Sequence, residues 1–236
     1  MSIVRCEPLT LDGLVWPVEL HIHPRARRLR LRLDERKGVI RLTCPPRARR
    51  DEAIAWAKRQ KPWIDAQVER LVPATVIAPG HTLPFNGGEV RLDWREGETR
   101  RVRHDGETLW CGGPRDGFDR RIAAWLRSEA LRRLAAETRE IAVAAQVTIA
   151  AVAVGDAATR WGSCSADGRI RFNWRLLLAP PEVRRYVVAH EVAHRRHMDH
   201  GAAFHALEVE LFGGSVESAR SALGRIGPGL KRVGLR

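Results

Sequence analysis

Two of the nine histidines stand in the pentapeptide His190-Glu191-Val192-Ala193-His194. Side chains four apart on an α-helix share one face, about 5–6 Å apart at Cβ, so both imidazoles can reach a single metal ion. Zinc bonds imidazole nitrogen at about 2.0–2.1 Å, and a catalytic site keeps one coordination position for water. Glu191 follows the first imidazole directly. A carboxylate there can take the proton of a water whose acidity the metal has raised. The chemistry these residues suggest is metal-assisted hydrolysis.

Two ligands make a weak site, so the third matters most. His200 lies six residues past His194 and precedes Gly201, which can let the chain leave helical geometry. A ligand borne on a turn approaches from a different direction and can complete a tetrahedron. His197 would lie on the same helical face as His190 and His194, and three ligands along one straight helix are nearly collinear. Glu208, on a following helix, is a further possible ligand. The spacing favours His200, with His197 and Glu208 as the alternatives. Three protein ligands with a carboxylate nearby point to catalysis, since structural zinc sites normally have four and usually include cysteine.

Other elements must hold this segment in place. Pro180-Pro181 with Glu182 supplies a helix start, and Val183, Tyr186, Val187, Val188, Val192 and Ala193 give it an apolar face. Tyr186, four before His190, falls on the ligand face. Residues 118–146 carry Ile122, Trp125, Leu126, Ala130, Leu134 and Ile141 at helical spacing; such a helix backs a sheet and supports the active-site helix. Residues 147–154 suggest a strand, and the stretch from Thr159 through the turn at Ala166-Asp167-Gly168 to Trp174 reads as a β-hairpin. Residues 202–212 read as an apolar helix with Phe204 and Leu207 in the core. Gly213-Gly214 ends it, and Gly227-Pro228-Gly229 suggests a flexible tail.

The first hundred residues are richer in strands. Residues 14–23 and 27–33 read as strands, and in the second Leu29, Leu31 and Leu33 alternate with Arg28, Arg30 and Arg32. A turn at Glu35-Arg36-Lys37-Gly38 leads into a third strand at 39–43. Asp51 can cap a helix running to about Leu71 that Pro62 must kink or split, with Trp63 in the core. Residues 73–113 suggest a small antiparallel sheet with loops. The expected class is α+β, with a β-rich N-terminal part at 1–113 containing one helix and a catalytic part at 118–236.

Several stretches together resemble one family. They are Arg160-Trp161-Gly162-Ser163-Cys164-Ser165, Asn173-Trp174-Arg175, Leu178-Ala179-Pro180-Pro181, the His190-to-His194 pentapeptide and His200-Gly201-x-x-Phe204. The chain resembles the YgjP-like metallopeptidases, relatives of the SprT-like and WLM-type zinc peptidases, most densely over 157–212. The arginine-rich strand near 25–43 and the helix carrying Trp56 and Trp63 are also similar. The resemblance implies a zincin-like fold, zinc on His190, His194 and His200, Glu191 as general base, and a polypeptide substrate. It further implies an edge strand beside the active-site helix, on which an extended substrate can pair by strand addition. Trp161, Gly162, Ser163 and Cys164 fall on that strand or on the turn bordering the cleft, and are the expected substrate-binding residues. Cys164 itself reads as a small buried hydrophobe.

Composition narrows the remaining possibilities. The chain has 236 residues and is 44% hydrophobic and 29% charged, as in globular proteins. It holds no apolar run long enough for a membrane span, and its first residues lack the apolar core of a leader. Cys6, Cys44, Cys111 and Cys164 are scattered, with no C-x-x-C pair, which fits a reducing cytoplasm. The net charge is +13. Residues 24–50 hold eleven bases against two acids, whereas the segment around the histidines is nearly neutral. Only four of the 41 bases are lysine, so a compositional bias toward arginine accounts for the charge as readily as a polyanion surface does. The alternative function is a nucleic-acid-associated zinc module, its protease confined to nucleic-acid-bound proteins or its zinc not catalytic. A zinc hydrolase of non-peptide amides is a third class. The sequence sets no oligomeric state.

Overall fold

The alternation of leucine and arginine becomes a strand at the edge of a sheet. The structure, a computed structural model, describes residues 5–9, 14, 16–34, 37–69 and 73–235. Near the N-terminus, β1 (Arg5–Leu9), β2 (Val18–Ile22), β3 (Arg30–Asp34) and β4 (Val39–Cys44) form a sheet in the order β1-β2-β4-β3. β2 and β4 run parallel, and the other neighbours run antiparallel. On β3, Arg30 and Arg32 are exposed while Leu31 and Leu33 are half-buried, the period-two pattern of a strand wetted on one side. The turn residues Glu35 and Arg36, the expected helix end at Leu71 and the thiol of Cys6 lie outside the described residues.

The helical stretch that follows is split at Gln60 into α1 (Arg50–Arg59) and α2 (Lys61–Glu69). Pro62 sits in the first turn of α2, where its missing N–H leaves no hydrogen bond unmade. Asp51 lies in the first turn of α1, but the capping position is Arg49, with no side-chain cap. The expectation that Trp63 is core does not hold. Ile64 takes the inward direction at 0% exposure and leaves the preceding Trp63 43% exposed, since successive helical residues point about 100° apart. Val18, Leu20, Ile40, Leu42, Ala53, Ala57 and Ile64 form the core here.

The chain divides into two compact units that part at Pro73/Ala74, whereas the sequence suggests 113–118. The reason lies in the small sheet of β5 (Thr82–Phe85), β6 (Gly88–Trp94), β7 (Arg103–His104) and β8 (Thr108–Cys111), ordered β5-β6-β8-β7. Its Leu83, Val90, Leu92 and Leu109 share one core with Phe118, Ile122 and Leu126 of α3 (Phe118–Ala144). Nor is this sheet wholly antiparallel, because β6 and β8 run parallel.

α3 buries Ile122, Leu126, Ala130, Leu134, Thr138 and Ile141 along one stripe. It packs on α4 (Pro181–Ala193), on β9 (Ala151–Gly155) and on the 3₁₀ turn Trp174–Leu178. A second small sheet has the order β10-β11-β9, with β10 (Gly162–Cys164) antiparallel to β11 (Arg169–Asn173) and β9 parallel to it. β10 is thus an edge strand. Two helices complete the unit, α5 (Ala202–Phe212) and α6 (Val216–Lys231). The fold is α+β with a β-rich N-terminal part. Among the described residues no helix is long and apolar enough to cross a membrane.

Gly227-Pro228-Gly229, read from sequence as flexible, lies inside α6. The glycine at 227 has a packing reason. A Cβ there would stand 3.1 Å from Cζ2 of Trp161, so the indole just before β10 rests on helix backbone.

Candidate active site

The site is assembled around α4. Asn173 caps the 3₁₀ turn before it, its side chain accepting from the Arg175 amide at 3.0 Å and donating to the Ala157 carbonyl at 2.9 Å. Pro180 and Pro181 then open α4, which buries Val183, Tyr186, Val187, Val188 and Val192. This leaves His190 and His194 half-buried at the helix end. α4 stops at Ala193, with His194 at its C-cap in right-handed helical geometry. A turn follows and carries His200 back over the end of the helix. The helix ends well before Gly201, whose φ of −74° is extended backbone and which instead precedes α5 as its N-cap.

His190, His194 and His200 converge. Their ring centroids are 5.0, 5.2 and 4.8 Å apart for 190–194, 190–200 and 194–200, and Nε2 of His190 is 3.4 Å from Nε2 of His200. Phe204 lies beneath all three, fully buried, its ring 5.1, 4.6 and 4.7 Å from their centroids. This explains why a phenylalanine sits four residues after His200: it is the floor that sets the rings.

The outward-facing nitrogens of two imidazoles are already engaged. His190 Nδ1 donates to Oε1 of Glu208 at 2.7 Å, and His194 Nδ1 donates to the His197 carbonyl at 3.1 Å. Each is left with Nε2 as the lone-pair nitrogen. Burial lowers the pKa of both rings, in His190 against the opposing pull of Glu208; the neutral imidazole is the form that ligates metals. The donor set therefore fits a metal ion, and the residues able to hold it are His190, His194 and His200.

Glu208 and His197, the alternatives from sequence, take other positions. The Glu208 carboxylate has 0% exposure and accepts from His190, from His205 Nδ1 at 3.1 Å, and lies 3.7 Å from Nη2 of Arg220. Burial alone would raise its pKa, but the bonds from His190 and His205 outweigh it and hold the carboxyl below its ordinary value. Arg220 Nε also donates to the Tyr186 hydroxyl at 3.2 Å, and the Tyr186 ring meets His190 edge-on. His197 contributes its backbone carbonyl. Sequence reasoning missed the supporting roles of His205 and Arg220. The three-residue step from His205 to Glu208 along one helix was the available signal.

Glu191 is 5% exposed and lies against β10. A Cβ at position 162 would stand 2.6 Å from its Cγ and 2.7 Å from its Cδ, and nearer still to Oε1. Glycine is thus the residue that admits the carboxyl to this place. Burial pushes the Glu191 carboxyl up to about 7, with Arg160 pulling weakly the other way.

Of the four expected substrate-binding residues, Gly162, Ser163 and Cys164 form edge strand β10 and are half-buried. Trp161 turns onto α6, its ring 4.9 Å from the Lys231 ammonium. Cys164 is a half-buried free thiol whose pKa burial raises. Arg195 fixes the hairpin to the end of α4, its guanidinium donating to the carbonyls of Thr148 (3.2 Å), Ala166 (2.9 Å) and Ser165 (3.4 Å).

No curated protein matches the chain. Among solved structures it is similar to the crystal structure of the metallopeptidase zymogen of Pyrococcus abyssi abylysin. The identity there is 20%, the TM-score is 0.35, and the likeness covers 39% of this chain and 90% of that one. A likeness of that size carries no argument about the site. The family described as YgjP-like, metallopeptidase domain, matches residues 27–225. That span covers part of the first unit, most of the second and every residue of the histidine cluster, and the chain belongs to the YgjP-like metallopeptidase family.

Proposed function

We propose that the protein is a zinc-dependent peptidase in which His190, His194 and His200 hold the ion, Glu191 is the general base and β10 seats the substrate. One observation carries this reading: ligand nitrogens of three imidazoles lie within 4.8 Å of one another, and the residue after the first of them is a buried carboxyl outside that group. Membership of a metallopeptidase family implies a metal ion, and an all-imidazole set suits zinc among several late transition metals. When bound, zinc would supply a Lewis acid that acidifies water and polarises the scissile carbonyl.

The protein's own groups do the rest. Glu191, held against the backbone of Gly162, accepts a proton from the attacking water and returns it to the departing amine. Burial favours the protonated carboxyl that returns the proton, whereas a cation bound nearby would favour the carboxylate that first accepts it. The free edge of β10 offers backbone donors and acceptors to an extended polypeptide, which then runs alongside α4. Trp161 anchors that edge through its contacts with α6, and Arg195 anchors the turn behind it. Phe204 and Glu208 fix the ring planes.

Glu208→Gln keeps the shape but removes the charge that faces His190. Loss of such an outer partner typically lowers metal affinity about 10–100-fold. Competition with a chromogenic chelator should show a loss in that range, with unchanged far-UV circular dichroism. Parental affinity in the variant would deny Glu208 this supporting role.

The reaction class is tested by exposing the zinc-loaded chain to a peptide library and, in parallel, to a panel of non-peptide amides. Mass spectrometry should find new amino termini within the peptides. Hydrolysis confined to the small amides would move the protein to a different class of zinc hydrolase.

A further inference from the structure

We propose that the N-terminal unit carries a groove for single-stranded nucleic acid, centred on Trp63 and flanked by Arg28 and Arg30. An open cleft of about 410 Å³ lies between the start of β3 and the helices α1 and α2. Arg28, Leu29, Arg30, Leu31, Trp56 and Trp63 are among its lining residues. Leu29, Leu31 and Trp56 pack partly on the core of that unit and form an apolar floor. Trp63 has no place in that core; it is 43% exposed and lines the cleft.

The rim is cationic. Arg28 and Arg30 are exposed, and no carboxylate among the described residues pairs with either. Among the described residues no acid lines the cleft, and it opens within the stretch at 24–50 that holds eleven bases against two acids. Arginine abundance alone would scatter charge over the surface. Here the charge flanks an exposed indole, and that juxtaposition selects the ligand.

The complementary ligand is a flexible polyanion bearing flat aromatic rings that can leave their own stack. Proteins that bind single strands join a positive groove to aromatic side chains on which bases stack. A duplex keeps its ring faces covered by neighbouring pairs. A sulfated polysaccharide offers charge without rings, and an acidic peptide offers carboxylates with few rings. The single strand alone satisfies both the arginines and the tryptophan. This inference does not depend on the metal site or on peptidase activity.

The test is fluorescence anisotropy of labelled oligothymidylate, with oligouridylate as a parallel arm, titrated with the full chain over a range of salt. Binding to either is expected at low salt, with log affinity falling linearly against log salt by about 0.7 per phosphate contacted. Trp63→Ala should weaken binding by about 5–150-fold, the worth of one stacked base, while Trp63→Phe should retain most of it. The double change Arg28→Ala/Arg30→Ala should flatten the salt slope by about 1.4. All three sites are exposed, so the thermal unfolding midpoint should stay at the parental value and certify each variant as folded. Absence of binding at low salt would overturn the proposal. So would parental affinity in Trp63→Ala, or equal competition by heparin or polyglutamate at matched charge.

Discussion

Replacing Glu191 by Gln is expected to leave zinc in place and to lower peptide hydrolysis by at least about 10²–10⁴-fold, the usual worth of a general base. The amide fills the same space beside Gly162, where the carboxyl is 5% exposed and a Cβ would intrude on it. What the variant lacks is the ability to accept and return a proton. Burial raises the Glu191 carboxyl to about 7 when no metal is bound, and a cation at the histidines would draw it toward the proton-accepting carboxylate; glutamine has no such form. Metal content measured on the same sample separates loss of the base from loss of the ion. Hydrolysis at the parental rate by a fully loaded variant would remove Glu191 from the mechanism.

His200→Ala is expected to cost far more zinc affinity than His197→Ala. The imidazole of His200 faces those of His190 and His194 across 5.2 and 4.8 Å between centroids. His197 instead serves through its backbone carbonyl, which accepts from His194 Nδ1 at 3.1 Å and survives the change to alanine. The loss at His200 should exceed the about 10–100-fold that removal of an outer partner costs, while the loss at His197 should be small. Equilibrium dialysis against buffered zinc reads both. Equal losses, or a larger one at His197, would reject His200 as the third ligand.

Much of this arrangement was legible in the residues. The pentapeptide after Pro180-Pro181, the long stripe of α3 and the hairpin through Asp167-Gly168 all rest on local periodicity and turn chemistry, which a chain carries in its own order. What depended on tertiary partners was not legible. Trp63 reads as core by type, yet Ile64 takes the inward direction once the helix breaks at Gln60. Gly227-Pro228-Gly229 reads as a flexible tail, yet it is helical, and the bare backbone at Gly227 receives the indole of Trp161 from far along the chain. The parallel pairing of β6 with β8, which joins the small sheet to α3, has no signature in either strand. In the site, the pattern of histidines ranked His200 first but could not show that Glu208 would turn its carboxylate to the back of His190. That contact bridges 18 positions in sequence and forms only when α5 packs on α4.

The most direct measurement is a zinc back-titration. The protein is stripped with chelator, zinc is returned in steps, and bound metal and cleavage of a library-derived peptide are followed on the same sample. Cleavage should vanish in the stripped protein, rise in proportion to bound zinc and level off at about one equivalent per chain, the capacity of a single trio of imidazoles. Cleavage that persists without metal, or that reaches the same plateau in His200→Ala at the same free zinc, would contradict a peptidase built on His190, His194 and His200.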